Sequence, residues 1–81
     1  MFNEPMAEDL TEEFTRAIHR HPNFPKSVPV QLSLLKERMG RLLYAMGDKK
    51  HPILQAVEIP KNALAIAVIA LRIFESHQPQ D

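Results

Sequence analysis

No cysteine occurs in the 81 residues. Neither disulfides nor cysteine-ligated zinc can therefore supplement the core, and nothing points to an oxidising compartment. Net charge is missing as well, since ten basic residues cancel ten acidic ones. A neutral chain argues against nucleic acid as the main ligand, because displacing counterions from a phosphate backbone needs a basic excess. Long apolar runs are also lacking. The longest uninterrupted one, Ala63 to Leu71, is about half of the ~18 residues that a bilayer span requires, which predicts a buried helix and no membrane anchor. The first residues are acidic and lack the basic-then-apolar order of a signal peptide. The expectation is a cytoplasmic protein without targeting, internal repeats or low-complexity segments.

A chain this short forms one domain at most and buries only about 60% of the surface that its unfolded form exposes. That marginal size favours an oligomer. The charges that are present are unevenly spread: residues 1–15 hold Glu4, Glu8, Asp9, Glu12 and Glu13 with no basic residue. Residues 16–50 hold eight basic residues against Glu37 and Asp48. The polarity suggests that the N-terminal helix is drawn to the middle of its own chain or of a partner's, although exposed pairs contribute only ~0–1 kcal/mol each.

Met6, Leu10, Phe14, Ala17 and Ile18 recur at spacings of three and four, predicting an amphipathic helix over residues 6–20 with acids near its positive end. His21-Pro22 ends it. Two prolines make residues 21–27 a connector, with Phe24 as its plug onto the core. Pro29 suits a first helical position, and the next helix runs to Met46. Leu32, Leu35, Met39, Leu42 and Met46 form its stripe, and Gly47 fits a left-handed terminator. The short turn after it predicts an antiparallel neighbour. His51-Pro52 opens a further helix, with a break expected near Ile59 before Pro60. From Lys61 to Ser76 the pattern is apolar on more than one face, which in so small a chain points to burial between subunits. Residues 1–5 and 77–81 are expected to fray.

The residues Leu35-Lys36-Glu37-Arg38-Met39-Gly40-Arg41-Leu42 with Ala45, preceded by His21-Pro22-Asn23-Phe24-Pro25, carry a resemblance. So do Lys61-Asn62-Ala63-Leu64-Ala65-Ile66-Ala67 and Ala70-Leu71-Arg72-Ile73-Phe74-Glu75. Together they resemble the MazG-like, all-α nucleoside triphosphate pyrophosphohydrolases, particularly the small members found in phages and mobile elements. The similar family patterns are L-x-E-E-x-G-E-L-x-x-A, then E-E-A-x-Q/D-x-A and A-L-R-F-x-E. About two thirds of the chain is covered, mostly by apolar and helix-forming residues. The resemblance implies carboxylates that hold magnesium against nucleotide phosphates. Here those positions fall on Arg38, Arg41, Asn62 and Ala65. Magnesium needs hard oxygen ligands in octahedral geometry, which two guanidiniums and an alanine do not supply.

For Arg38 and Arg41 the plain expectation is a pair of side chains covering the shoulder of the Leu/Met stripe, with Arg41 paired to Glu37 one turn away. The sharper one is direct capture of an anion by guanidinium forks. Asn62 is in phase with Ile66, Ile69 and Ile73 and is expected to face inward, either setting helix start or register or reading a ligand's polar edge. The four histidines lack the i, i+4 pairing with an acid that a helical zinc site shows, and no serine has an adjacent base.

The expected architecture is thus all-α: a compact protein of three or four antiparallel helices in an oligomeric MazG-like bundle, dimeric or tetrameric. Leu35, Met39, Leu42, Met46, Ile66, Ile69, Ile73 and Phe74 are the expected interface. The expected role is a non-catalytic interaction or regulatory subunit without metal or cofactor, open to a further protein partner. The alternative is a small-ligand protein that binds a nucleotide or other phosphorylated compound through Arg38 and Arg41, with Asn62, and without magnesium. A third reading places a metal site on Glu37 and Glu58.

Overall fold

The computed structural model describes residues 3–79, which form three α-helices and no strand. Helix α1 spans Glu4–Arg20, α2 Val28–Gly47 and α3 Pro52–Ser76. Helix α1 starts two residues before the apolar pattern does, because the Asn3 side chain accepts a hydrogen bond from the Met6 N–H at 3.0 Å and caps the first turn. Pro5 and Pro29 both sit in first turns, where a missing N–H costs nothing. Helix α2 ends differently from the glycine-cap expectation: Gly47 is helical without a positive φ, and the Asp48 N–H closes the last turn on the Ala45 carbonyl at 3.3 Å.

The break expected near Ile59 is absent, and α3 is one helix of 25 residues with Pro60 inside it. Contacts on either side of the proline hold it. Upstream, Gln55 Nε2 donates to the Ala45 and Met46 carbonyls at 3.1 and 3.0 Å. Downstream, Asn62 Nδ2 donates to the Glu58 carbonyl at 2.8 Å. Continuity changes the hydropathy picture as well. Joined across Pro60, α3 is long and apolar enough to cross a membrane by length and composition, which the nine-residue run alone did not reveal.

Helix α3 is central, since α1 and α2 both pack against it. The start of α2 lies beside the end of α3, where buried Gln31, only 2% exposed, ties three segments together. Its Nε2 donates to the Pro25 carbonyl at 2.7 Å and to Ser76 Oγ at 2.9 Å, and its Oε1 accepts from His77 Nε2 at 2.9 Å. His77 is therefore engaged with the fold although it lies beyond α3. Helix α1 is attached by apolar contact and by Arg72, whose guanidinium donates to the Ala17 carbonyl at 3.3 Å. The acidic first helix makes its ion pairs internally, Glu13 with Arg16 one turn on and Arg20 two turns on, because partners along the same helix are nearer than those on another.

The interior is sparse. Among the described residues Ala45 and Val68 are the buried apolar ones, whereas fourteen large apolar side chains are exposed, Tyr44 and Ile53 most of all at 79% and 84%. The α carbons have a radius of gyration of 14.2 Å, against roughly 12 Å for a compact chain of this length. Accessible surface is 6617 Å², against roughly 5,000 Å² for a folded monomer of this mass.

Candidate functional site

At the 100° step of a helix, Val28, Leu32, Leu35, Met39, Leu43 and Met46 share an arc of about 80° on α2. All but Leu35 are exposed and Leu35 is half-buried. The side of α2 that packs on α3 is a different one, centred on Gln31, Arg38 and Ala45, roughly a quarter turn away. The Leu/Met stripe read from the sequence thus exists as a continuous apolar face, about 27 Å long at 1.5 Å per residue, but it does not face α3. On α3, Ile53 and Val57 near its start and Leu71 and Phe74 near its end are exposed, while Leu64 and Val68 between them are half-buried and buried. Of the eight expected interface residues, Met39, Met46 and Phe74 are exposed, and Leu35, Leu42, Ile66, Ile69 and Ile73 are half-buried. Sequence reading missed Leu43, Tyr44, Ile53, Leu54 and Val57, which cluster around the α2–α3 turn. Their apolar character was visible, but the sequence alone does not show which apolar residues beside the turn face outward.

Two clefts flank the α2–α3 contact. The first, about 510 Å³, is lined by Glu37, Arg41, Tyr44, Asp48, Gln55, Glu58 and Asn62, among others. The second, about 390 Å³, lies between α1, the 21–27 connector and the α2–α3 pair, and its walls include Arg20, Phe24, Arg38, Ala65 and Arg72. The four positions matched to metal ligands divide between them: Arg41 and Asn62 line the first, Arg38 and Ala65 the second. Arg38 and Arg41 are therefore not brought together. Arg41 donates to Glu37 Oε1 at 2.8 Å, as its i, i+4 spacing predicts.

Asn62 is buried and faces inward, but it stands in mid-helix and not at a helix start. Its Nδ2 reaches both the carbonyl and, at 3.2 Å, the carboxylate of Glu58. Glu37 and Glu58 line the same cleft, yet among the described residues no group of three His, Asp or Glu side chains is placed to hold a metal ion. Arg41 bonds one Glu37 oxygen and Asn62 one Glu58 oxygen, so both carboxylates are engaged within the fold. The imidazole of His51 pairs with Asp48 at 3.0 Å beside the turn. Phe24 plugs the connector as expected, half-buried with the Arg72 guanidinium 4.8 Å above its ring. Comparison with protein-family models, curated proteins and solved structures finds no match for this chain.

Proposed function

We propose that this protein is a non-catalytic helical interaction module that assembles with copies of itself through the outward apolar faces of α2 and α3. The observation that carries the reading is the continuous exposed stripe Val28, Leu32, Met39, Leu43 and Met46 on a helix whose other side already packs within the chain. A monomer rarely leaves so long an apolar face to water. The occupant is a second copy. The excess of roughly 1,600 Å² over a monomer's expected surface is of the size that one protomer contributes to an obligate interface. A two-helix layer of antiparallel α2 and α3, apolar on its outer side, is completed by the same layer of a partner as a four-helix bundle.

That arrangement fits a degenerate MazG-like bundle of the kind the sequence resembles, dimeric or tetrameric, in which the metal-binding positions carry Arg38, Arg41, Asn62 and Ala65. An aqueous, cytoplasmic setting agrees with α3 carrying Glu58, Lys61, Arg72 and Glu75, of which Glu58 and Arg72 bond within the fold. The non-catalytic part is tested by incubating the protein with each nucleoside triphosphate and magnesium. No turnover above buffer is expected. Hydrolysis that disappears on Arg38→Ala or Asn62→Ala would contradict the proposal.

A further inference from the structure

Arg72 is the least expected buried residue in the chain. It is 8% exposed, yet among the described residues no carboxylate pairs with it. Its one hydrogen bond goes to the Ala17 carbonyl, which already accepts from the His21 N–H at 2.9 Å. The helix end would be satisfied without it. No buried side-chain nitrogen or oxygen lacks a partner among the described residues, so the remaining guanidinium donors open into the second cleft that Arg72 lines. A guanidinium mostly withdrawn from water, with its unbonded donors reaching solvent only through the cleft and no counter-charge beside it, is costly to hold there. The arrangement makes sense if the counter-charge comes from outside the chain.

The rest of the cleft supports that reading. Arg38, half-buried on the facing helix, makes no ion pair and no side-chain hydrogen bond among the described residues. The other charges that face the cleft are engaged: Glu13 with Arg16 and Arg20, Glu37 with Arg41. His21 and Asn23 at the mouth add polar groups, while Leu34, Val68 and Ile69 form an apolar wall. The cleft's 390 Å³ is within the range of small-molecule sites, roughly 300–1,000 Å³. Two unpaired guanidiniums match the charge of one phosphate group, about −1.5 to −2 near neutral pH, better than that of a single carboxylate.

We propose that the second cleft is an anion site in which Arg72 and Arg38 hold the phosphate group of a small molecule without a metal ion. Arg72 supplies the pre-positioned fork, fixed by Phe24 and the Ala17 carbonyl. Arg38 closes on the anion from α2, and the apolar wall accommodates the organic remainder. The site lies within one chain, so the proposal stands independently of self-association.

The test is the melting temperature of the full chain at fixed protein concentration, in 10 mM inorganic phosphate, acetate or chloride at equal ionic strength, with titration calorimetry of phosphate alongside. Phosphate is expected to raise the melting temperature by a few degrees over chloride, and acetate by much less. Arg38→Ala should remove most of that shift and weaken phosphate binding on the order of tenfold or more. Arg72→Met, which keeps the apolar stem and removes the charge, should melt at or above the wild-type temperature in chloride and show no phosphate response. A wild-type protein that does not distinguish phosphate from chloride would overturn the proposal. So would an equal phosphate shift in wild type and Arg38→Ala, since general salting effects act on both alike. Should Arg72→Met fail to fold, Arg38→Ala decides alone, because the half-buried Arg38 makes no bond on which the fold depends.

Discussion

Gln31 concentrates more tertiary hydrogen bonding than any other described side chain, joining the 21–27 connector, the start of α2 and the residues that end α3. Replacing it with Ala removes the donor to the half-buried Pro25 carbonyl, releases the exposed His77 imidazole to water and leaves a small void. Gln31→Ala should cost about 2–3 kcal/mol in urea unfolding at fixed protein concentration. A loss below about 0.5 kcal/mol would mean that water replaces the clasp. The Glu37–Arg41 pair is the opposite case. Both side chains are more than half exposed, so a double-mutant cycle on them should return no more than about 0.5 kcal/mol. That pair was legible in the sequence because one-turn spacing alone fixes it. Gln31 was not, since a polar residue two places after a proline carries no sign of what will meet it from 45 residues away.

At the scale of elements, the helices were legible where their caps and periodicities agree and obscure where two signals conflict. Helix α2 came out within a residue of its expected ends, since Pro29 and the polar turn after Gly47 bracket an unbroken stripe. Helix α3 did not, because a proline was read as a stop although a bond to the end of α2 upstream of it and the Asn62–Glu58 bond within α3 across it keep the chain helical. Pro60 leaves the Ala56 carbonyl without its usual N–H donor. Pro60→Ala should therefore raise unfolding free energy by about 1–2 kcal/mol, the restored bond outweighing the greater freedom of the unfolded chain. An unchanged or lower stability would show that the assembled protein needs the local geometry that proline imposes. The stripe on α2 was visible too, but its direction was not: an apolar face and a packed face look alike in one dimension. Here Arg38, Leu34 and Gln31 turned out to lie toward α3, while Met39 and Leu43 turned outward. Charging the outward face with Met39→Glu and Leu43→Glu together should dissociate the assembly, read as a fall in particle mass. An unchanged mass would remove this face from the interface.

The whole molecule is elongated, 50 × 32 × 24 Å, and thin for its length. Among the described residues Ala45 and Val68 are its buried apolar side chains, and half-buried Leu34, Leu42, Ile66, Ile69 and Ile73 supply the rest of a small interior. The short chain announced a small interior, which the proposed self-association extends across Leu32, Met39, Leu43 and Met46. The divided clefts explain why the candidate site was only partly legible. Arg38 and Arg41 are three residues apart, a net angle of about 60° around the helix, and were read as a pair, yet Arg38 lies toward α3 and lines the second cleft while Arg41 lines the first and is taken up by Glu37. Arg72, the more telling cation, stood in a segment that read as purely apolar. The most direct test of the account is sedimentation velocity on the purified chain across the low micromolar range. Self-association predicts a folded particle of at least twice the 9.3 kDa chain mass throughout, whereas a cooperatively folded monomer of that mass would contradict it.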